Sequence, residues 1–340
     1  MHETHGRFQR KKILRVSLIL LSLALVLGGA LFALHEWEGR QGLPSGDSGD
    51  NAIDSGEEKP FVWYNGQKYV LRENIETLLL MGLDSYAGES LDGYVNDDRA
   101  DFLMLLLFDR DAGTCTSLHI DRDTMAEIQV IGVAGQALGT EWAQLALAHT
   151  YGSGMQDSCL YTVQAVSAFL YDTPVDHYLS LTMDAVKLLN DEAGGVTLTV
   201  MDDMTSIDPA LVQGREVTLR GEQALKYVRS RTGLEDSTNR HRMERQRQYM
   251  NALYERLLSC YAEDKEFGAG ALLKASDYMV SDCTISALSD LLEEASGYTF
   301  VGIDTIEGES VPGEKFMEFY PDEEKLQQLI IDLFYQPFTE

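Results

Sequence analysis

The chain opens with a basic stretch followed by an unbroken apolar one. Residues 1–15 hold Arg7, Arg10, Lys11, Lys12 and Arg15 against one acid, Glu3, and Val16 to Leu34 then runs for 19 residues without a charge. At the rise of an α-helix that run is roughly 28 Å long, close to the hydrocarbon thickness of a bilayer. A basic flank ahead of the span puts 1–15 in the cytoplasm and everything after Leu34 outside the cell. A cleaved signal peptide would have a shorter apolar region, about 7–15 residues, ending in a small-x-small site. Leu31-Phe32-Ala33 is a poor site of that kind, so the pattern predicts a retained transmembrane helix over 16–34. Residues 35–60 follow, with a Gly/Ser/Asp/Glu-rich stretch and no apolar period, and read as an extracellular linker.

From residue 61 the pattern becomes globular. Phe61 to Val70 places Asn-Gly between aromatic and β-branched runs, the signal of a two-residue hairpin. Thr77–Met81, Phe102–Phe108 and Thr116–Ile120 read as strands, the second apolar at every position, as in a strand covered on both faces. Asp109–Gly113 is a turn. Leu160, Val163, Val166, Phe169 and Leu170 recur at helical spacing. Asp184–Ala193 predicts a helix with Asp184 as N-cap and Gly194 just past its end. Val196–Val200 reads as a strand, Glu222–Tyr227 as a short helix, and Arg240–Leu258 as a long amphipathic helix with Met243, Met250, Leu253 and Leu257 on one side. Strands alternating with helices predict an α/β/α sandwich around a central mixed β-sheet. The expected domain spans 61–262. Residues 263–340, with 18 acids and 4 bases, read as an acidic α/β appendage.

Charge narrows the function. The 340 residues carry 27 Lys+Arg and 55 Asp+Glu, a formal net charge of −28, which disfavours a nucleic-acid partner. One segment departs from that average. Arg229, Arg231, Arg240, Arg242, Arg245 and Arg247 fall within 19 residues that contain no lysine. A guanidinium stays charged when partly buried and grips two phosphate oxygens at once, so such a cluster points to geometric recognition of an anion as readily as to a solvated helix face. Acids sit at the ends of the apolar runs: Asp84 after the first, Asp97, Asp98 and Asp101 before the second, Asp121 and Asp123 after the third, with Arg99 and Arg122 among them. Strand ends of an open α/β sheet are where ligands bind. Carboxylates holding Mg²⁺ and arginines taking the remaining charge suit a pyrophosphate. For any single Asp, local turn chemistry is the competing explanation.

Other chemistries lack their signatures: no phosphate-cradling G-x-x-x-x-G-K-[ST], no G-x-G-x-x-G after a strand, no H-E-x-x-H and no G-x-S-x-G. His119, His149, His177 and His241 are scattered. Cys115, Cys159, Cys260 and Cys283 form no C-x-x-C pair, so disulfides in an oxidising exterior and buried free thiols both stay open.

Six short motifs occur in an order that resembles the LytR-CpsA-Psr family. They are Gly82-Leu83-Asp84-Ser85, Arg99-Ala100-Asp101, Arg122-Asp123-Thr124, Leu219 to Leu225, Tyr227-Val228-Arg229-Ser230-Arg231, and Arg242-Met243-Glu244-Arg245-Gln246. A short cytoplasmic tail, one membrane helix and an exported domain also match the family's layout. The resemblance implies a membrane-anchored transferase that moves an anionic glycopolymer, such as a teichoic acid or a capsule, from an undecaprenyl-pyrophosphate carrier to peptidoglycan as a phosphodiester. It implies that Asp84 and Asp101 hold Mg²⁺, that Arg99, Arg122, Arg229, Arg231 and Arg242 grip the pyrophosphate, and that Arg245 and Gln246 lie beside them. Asp123, next to Arg122 at a strand end, is the expected general base, with Asp101 as the alternative. An apolar pocket of the family fold takes the polyprenyl chain. Two departures stand out: Asp121 occupies the family's usual proline position before Arg-Asp-Thr, and Gln144 and Ala146 replace a family Lys and Asn. A non-enzymatic lipid- or glycan-binding scaffold and a lipid pyrophosphatase would use many of the same residues.

Overall fold

The computed structural model describes residues 61–84, 96–132, 135–230 and 239–339. The expected transmembrane helix over 16–34, its flanks and Arg231 lie outside the described residues. Among the described residues no helix is long and apolar enough to cross a membrane.

The hairpin forms where Asn-Gly marks it. β1 (Phe61–Tyr64) pairs antiparallel with β2 (Gln67–Leu71). Asn65 and Gly66 join them with φ of 47° and 78°, the left-handed pair that a tight hairpin turn demands. The three apolar runs are β3 (Ile75–Leu83), β4 (Ala100–Asp109) and β5 (Thr114–Ile120), an antiparallel meander at the centre of the main sheet. A hairpin of β6 (Met125–Ile131) and β7 (Ala137–Gln144) leaves that sheet. A 3₁₀ turn (Leu145–Thr150) and α1 (Gln156–Phe169) follow. Next come β8 (His177–Leu181), α2 (Met183–Glu192), the antiparallel pair β9 (Val196–Thr199) and β10 (Glu216–Leu219), α3 (Glu222–Arg229) and α4 (Asn239–Glu263). The remainder is α5 (Phe267–Ala275), β11 (Met279–Ser281), α6 (Ile285–Ala295), β12 (Thr299–Thr305), the hairpin β13 (Gly308–Pro312) and β14 (Met317–Pro321), α7 (Glu323–Phe334) and β15 (Tyr335–Pro337).

The main sheet has six strands in the order β11-β8-β3-β4-β5-β12 and is mixed, with β8 parallel to β3 and β12 parallel to β5. Its strands are apolar on both faces because both faces are covered. Leu79, Met81, Leu103, Leu105 and Leu118 face α1 and α7. Leu78, Phe108, Leu179 and Leu181 face α2, α5 and α6. The expected α/β/α sandwich around a mixed sheet is therefore present. A third core, Val196, Leu198, Leu219, Tyr227 and Tyr249, welds β9 and β10 to α3 and α4.

Two sequence expectations are corrected. Residues 263–340 are not an appendage beyond a boundary at 262. β11 and β12 form the two edges of the main sheet, and β15 pairs with β2. Arg72 also binds across the chain, donating to the carbonyls of Tyr335 (3.1 Å) and Asp332 (3.0 Å) and to Asp109 (3.2 Å). Lys59–Glu340 is one compact unit. The acidic bias that suggested a boundary belongs to solvent-facing positions, while Leu272, Leu288, Leu326 and Ile330 of the same segment are buried. Asp184 is not the N-cap. Thr182 takes that place, held to the Tyr278 carbonyl by its N–H (3.1 Å) and hydroxyl (3.3 Å), and Asp184 pairs with Lys187 one turn on. In α1 the buried face is Ser158, Cys159, Thr162, Ala165 and Val166, and Leu160 is exposed. Small side chains there let the helix approach closely, and the Ser158 and Thr162 hydroxyls donate to nearby carbonyls. All four cysteines are free thiols.

His119, on β5, is buried with its Nδ1 unpartnered and its ring tilted on Phe102. Burial, reinforced by the Arg247 and Arg242 charges, pushes its pKa down to about 3. Burial also lowers that of His149. Between about pH 6.5, the value of an unfolded histidine, and about 3, the unfolded chain binds a proton that the folded one excludes. Stability therefore falls as pH falls through that window. We expect up to about 1.4 kcal/mol per pH unit from His119, and a shallower dependence in His119→Leu, read from urea unfolding midpoints. Deleting 263–340 should remove both sheet edges and abolish the cooperative thermal transition followed by circular dichroism.

Candidate functional site

One end of the main sheet gathers the chemistry. β3 ends on Leu83 with Asp84 just beyond, and β4, running the other way, begins beside it: Leu83 faces Ala100 and Gly82 faces Phe102. Asp101 therefore lies next to Asp84, and the Asp84 N–H donates to the Arg99 carbonyl (3.4 Å). β5 ends at the same level, Ile120 opposite Leu103, and delivers Asp121, Arg122 and Asp123. From the other side come Arg229, the last residue of α3, and Arg242 and Gln246 near the start of α4. The cations at the end of α3, Lys226 and Arg229, suit that helix dipole.

These groups surround a cavity of about 490 Å³. Its body is apolar, with Leu80, Met81, Phe102, Leu181, Met183, Val186, Leu189, Val228, Met250 and Leu253 from the sheet, α2, α3 and α4. Its charged lining is Asp84, Asp101, Arg229, Arg242 and, from α3, Glu222 and Lys226, with Gln246 beside them. The ion pairs cross the elements. Arg229 binds Asp84, and Arg122 binds Asp101. Arg242 approaches Asp101 at 4.0 Å. Arg122 Nε also sits 3.2 Å from Asp123, too poorly aligned for a hydrogen bond. Arg122 and Arg242 are buried, Arg242 in the cavity wall and Arg122 behind Asp101, while Arg229 is 41% exposed and borders solvent.

A buried relay supports this wall. The Asp121 carboxylate accepts from the Asp123 N–H (2.9 Å) and from the Asn239 amide, and the Asn239 carbonyl oxygen accepts from Arg242. Burial pushes the Asp121 carboxyl up, and those two donors oppose the shift. Asp121, which replaces the family's proline, is thus a bracket for Arg242 rather than a bare charge near an anion site. Gln144 likewise has a defined use: its Nε2 donates to Asp123 (3.0 Å) and to the Met317 carbonyl (2.7 Å).

The structure separates the sequence-derived residues into groups. Asp84, Asp101, Arg229, Arg242 and Gln246 line the cavity. Arg122 is joined to it through Asp101, and Arg99 enters the same corner through its backbone. Two residues do not reach it. Arg245 is fully buried and spends its donors on the Tyr227 carbonyl (3.0 Å), the Ser230 carbonyl and Asp202 (2.6 Å), pinning the end of α3 onto α4. Asp123, 3% exposed, is set back behind Arg122 with its carboxylate engaged by Gln144, which suits it to orienting Arg122 rather than to serving as general base. Of the two carboxylates that the sequence offered as base, Asp101 is the one that lines the cavity. The sequence placed Met250 and Leu253 on one side of α4 but did not show that they line the cavity or that Asn239 links Asp121 to Arg242. An asparagine opening an arginine-rich helix was the available signal for that link.

Asp84 and Asp101 put two carboxylates at one cavity corner, all-oxygen donors of the kind that could hold a hard cation.

The chain is similar to several known proteins. Teichoic acid transferase TagV of Bacillus subtilis, named a polyisoprenyl-teichoic acid–peptidoglycan teichoic acid transferase, is 26% identical over 302 residues, 87% of this chain and 71% of that protein. TagU of Enterococcus faecalis, of the same named activity, is 28% identical over 235 residues, 68% of this chain and 70% of that protein. The crystal structure of Bacillus subtilis TagV superposes with a TM-score of 0.58 at 26% identity, covering 77% of this chain and 97% of that one. A structure of TagT bound to LIIa-WTA gives 0.58 at 23% identity, covering 77% and 90%, a likeness of fold. The model described as LytR_cpsA_psr family matches residues 47–332, and on that match the chain belongs to the LytR-CpsA-Psr family.

Proposed function

We propose that the chain is a phosphotransferase that moves an anionic glycopolymer from an undecaprenyl-pyrophosphate carrier onto peptidoglycan. The observation that carries this reading is the shape of one cavity: an apolar body that suits a polyprenyl chain, closed at one corner by arginines and carboxylates that suit a pyrophosphate. The family membership and the names of the relatives support it. The basic tail 1–15 and apolar run 16–34 support a single-pass anchor with the domain outside the cell, on the side where such a lipid is presented to the wall.

In the proposed reaction a peptidoglycan hydroxyl attacks the phosphorus that carries the glycan. The new P–O bond forms the phosphodiester, the hydroxyl proton passes to the departing phosphate, the bond to the bridging oxygen breaks, and undecaprenyl phosphate leaves. Asp84 and Asp101 would hold Mg²⁺, which supplies charge neutralisation to phosphate oxygens. Arg229, at the accessible side, meets the pyrophosphate by giving up its pairing with Asp84. Arg122 and Arg242, fixed by Asp101, Asp123 and the Asp121–Asn239 relay, present charge that needs no reorganisation when negative charge develops on phosphorus. Arg231 is proposed to join them. The apolar body excludes water around the lipid, which favours transfer to a sugar hydroxyl over hydrolysis.

Arg229→Ala should lower transfer by about 10²–10³-fold with an unchanged circular dichroism spectrum, since the residue is half-exposed. Purified lipid-linked glycopolymer and peptidoglycan are the assay; wild-type rates in the variant would refute the site. Chelation by EDTA should stop turnover and Mg²⁺ should restore it. Free sugar phosphate appearing equally with and without peptidoglycan would instead identify a lipid pyrophosphatase, and binding without product a scaffold. Asn239→Ala, which breaks the relay to Arg242, should reduce turnover by about tenfold or more, a loss of 1.4 kcal/mol or greater, while Asn239→Asp retains part of it.

A further inference from the structure

The opposite end of the same sheet carries a second cluster of different chemistry. β3 starts about 25 Å from its cavity end, and Glu76 lies there. β8, parallel to β3, begins at His177 in register with Leu78, and β11, antiparallel to β8, ends in Asp282 and Cys283 just beyond Ser281. The three strand ends bring one atom each from His177, Asp282 and Cys283 within 4.8 Å of one another. His177 Nδ1 faces Asp282 Oδ2 at 3.0 Å, and His177 Nε2 faces Glu76 Oε1 at 3.5 Å.

Each donor is held from behind. The other Asp282 oxygen accepts from the Tyr178 N–H (3.0 Å), which aims Oδ2 at the ring. The Cys283 N–H donates to Ser281 Oγ (3.1 Å), and that hydroxyl donates to the Tyr178 carbonyl (2.6 Å). Glu76 is fixed by Arg110. An imidazole with one nitrogen toward a mixed donor set and the other toward a carboxylate is the arrangement that orients metal-bound histidine. Nitrogen, thiolate sulfur and a single carboxylate oxygen select a borderline-soft cation, whereas Mg²⁺ takes oxygen alone.

We propose that His177 Nδ1, Asp282 Oδ2 and Cys283 Sγ form a zinc-type metal site, with Glu76 as the positioning residue for the His177 ring and water as the fourth ligand. Ligand bonds of about 2.0–2.3 Å require the three donors to draw in by about 1 Å, which exposed side-chain ends at strand termini can do. As the metal–sulfur bond forms, the Cys283 thiol proton passes to solvent and the thiolate pair becomes the bond. The metal would join the β8 edge to the β11–α6 corner, tying residues 279–283 to the sheet. This site is separate from the Asp84 and Asp101 carboxylates and rests on none of their chemistry.

The test is a Co²⁺ titration of the full-length chain, purified in detergent without a polyhistidine tag, reduced and stripped of metal. One equivalent should produce visible bands of tetrahedral cobalt and a thiolate-to-cobalt band in the near ultraviolet. Zn²⁺ should displace both, and millimolar Mg²⁺ should displace neither. Cys283→Ser should remove the near-ultraviolet band, His177→Asn should remove one-to-one binding, and Glu76→Gln should weaken binding about 10–100-fold. His177→Asn serves as the second reading if Cys283→Ser does not fold. Absence of the cobalt bands in the reduced wild-type chain, or their persistence unchanged in folded Cys283→Ser or His177→Asn, overturns the proposal.

Discussion

A charge placed beside an apolar cavity must be compensated, and that constraint governs the corner of the sheet where the candidate site lies. An unpaired buried ion costs several kcal/mol, yet Arg242 stands in the wall of a cavity lined by leucine, methionine and phenylalanine side chains, and Arg122 is buried behind Asp101 at the same corner. They are tolerable there because Asp101 lies between them and Asp123 and Asn239 take their remaining faces. The same acids that make the arginines affordable in the absence of ligand are those suited to a divalent cation in its presence. On the proposed reading, anion recognition and fold stability draw on one set of contacts.

The relay from Asp121 shows how a departure from a family pattern is absorbed. A proline at this position fixes the backbone but offers no side-chain acceptor. Asp121 instead collects the Asp123 N–H and the Asn239 amide, and through Asn239 it reaches Arg242. Gln144 acts likewise from the β6–β7 hairpin, binding Asp123 and the Met317 carbonyl at once and so tying β14 to the arginine corner. Both side chains make hydrogen bonds to residues far away in the chain. Support for the site therefore comes partly from residues that never touch the cavity, Arg245 foremost: with no exposure, it locks the end of α3 to α4 through two carbonyls and Asp202.

The two ends of the main sheet differ in kind. One presents oxygen and guanidinium groups around an apolar space; the other presents imidazole, thiol and carboxylate on a surface formed by strand termini. The second exists only because the last third of the chain returns to complete the sheet, with β11 placing Asp282 and Cys283 against β8. The same return supplies β12 on the far edge and α7 across one face. A segment whose surface composition set it apart is, in its buried positions, part of the common core.

Several features follow from short-range physics and are therefore legible in the chain as written. Near-continuous apolar runs along β3 and β4 require a doubly covered sheet, Asn65-Gly66 requires a tight hairpin, and acids and arginines at three successive strand ends require a charged corner, since strand order in a meander places those ends together. The family motifs, being local, carried the same information. Partnership across long separations was not legible: that Asn239 joins Asp121 to Arg242, that Arg245 turns inward while Arg242 faces the cavity, that Asp123 is set back, and that His177 meets Cys283. Each depends on which side chain occupies a space enclosed by several distant segments, and that geometry comes into being only when the sheet, its covering helices and the returning carboxyl-terminal strands are packed together.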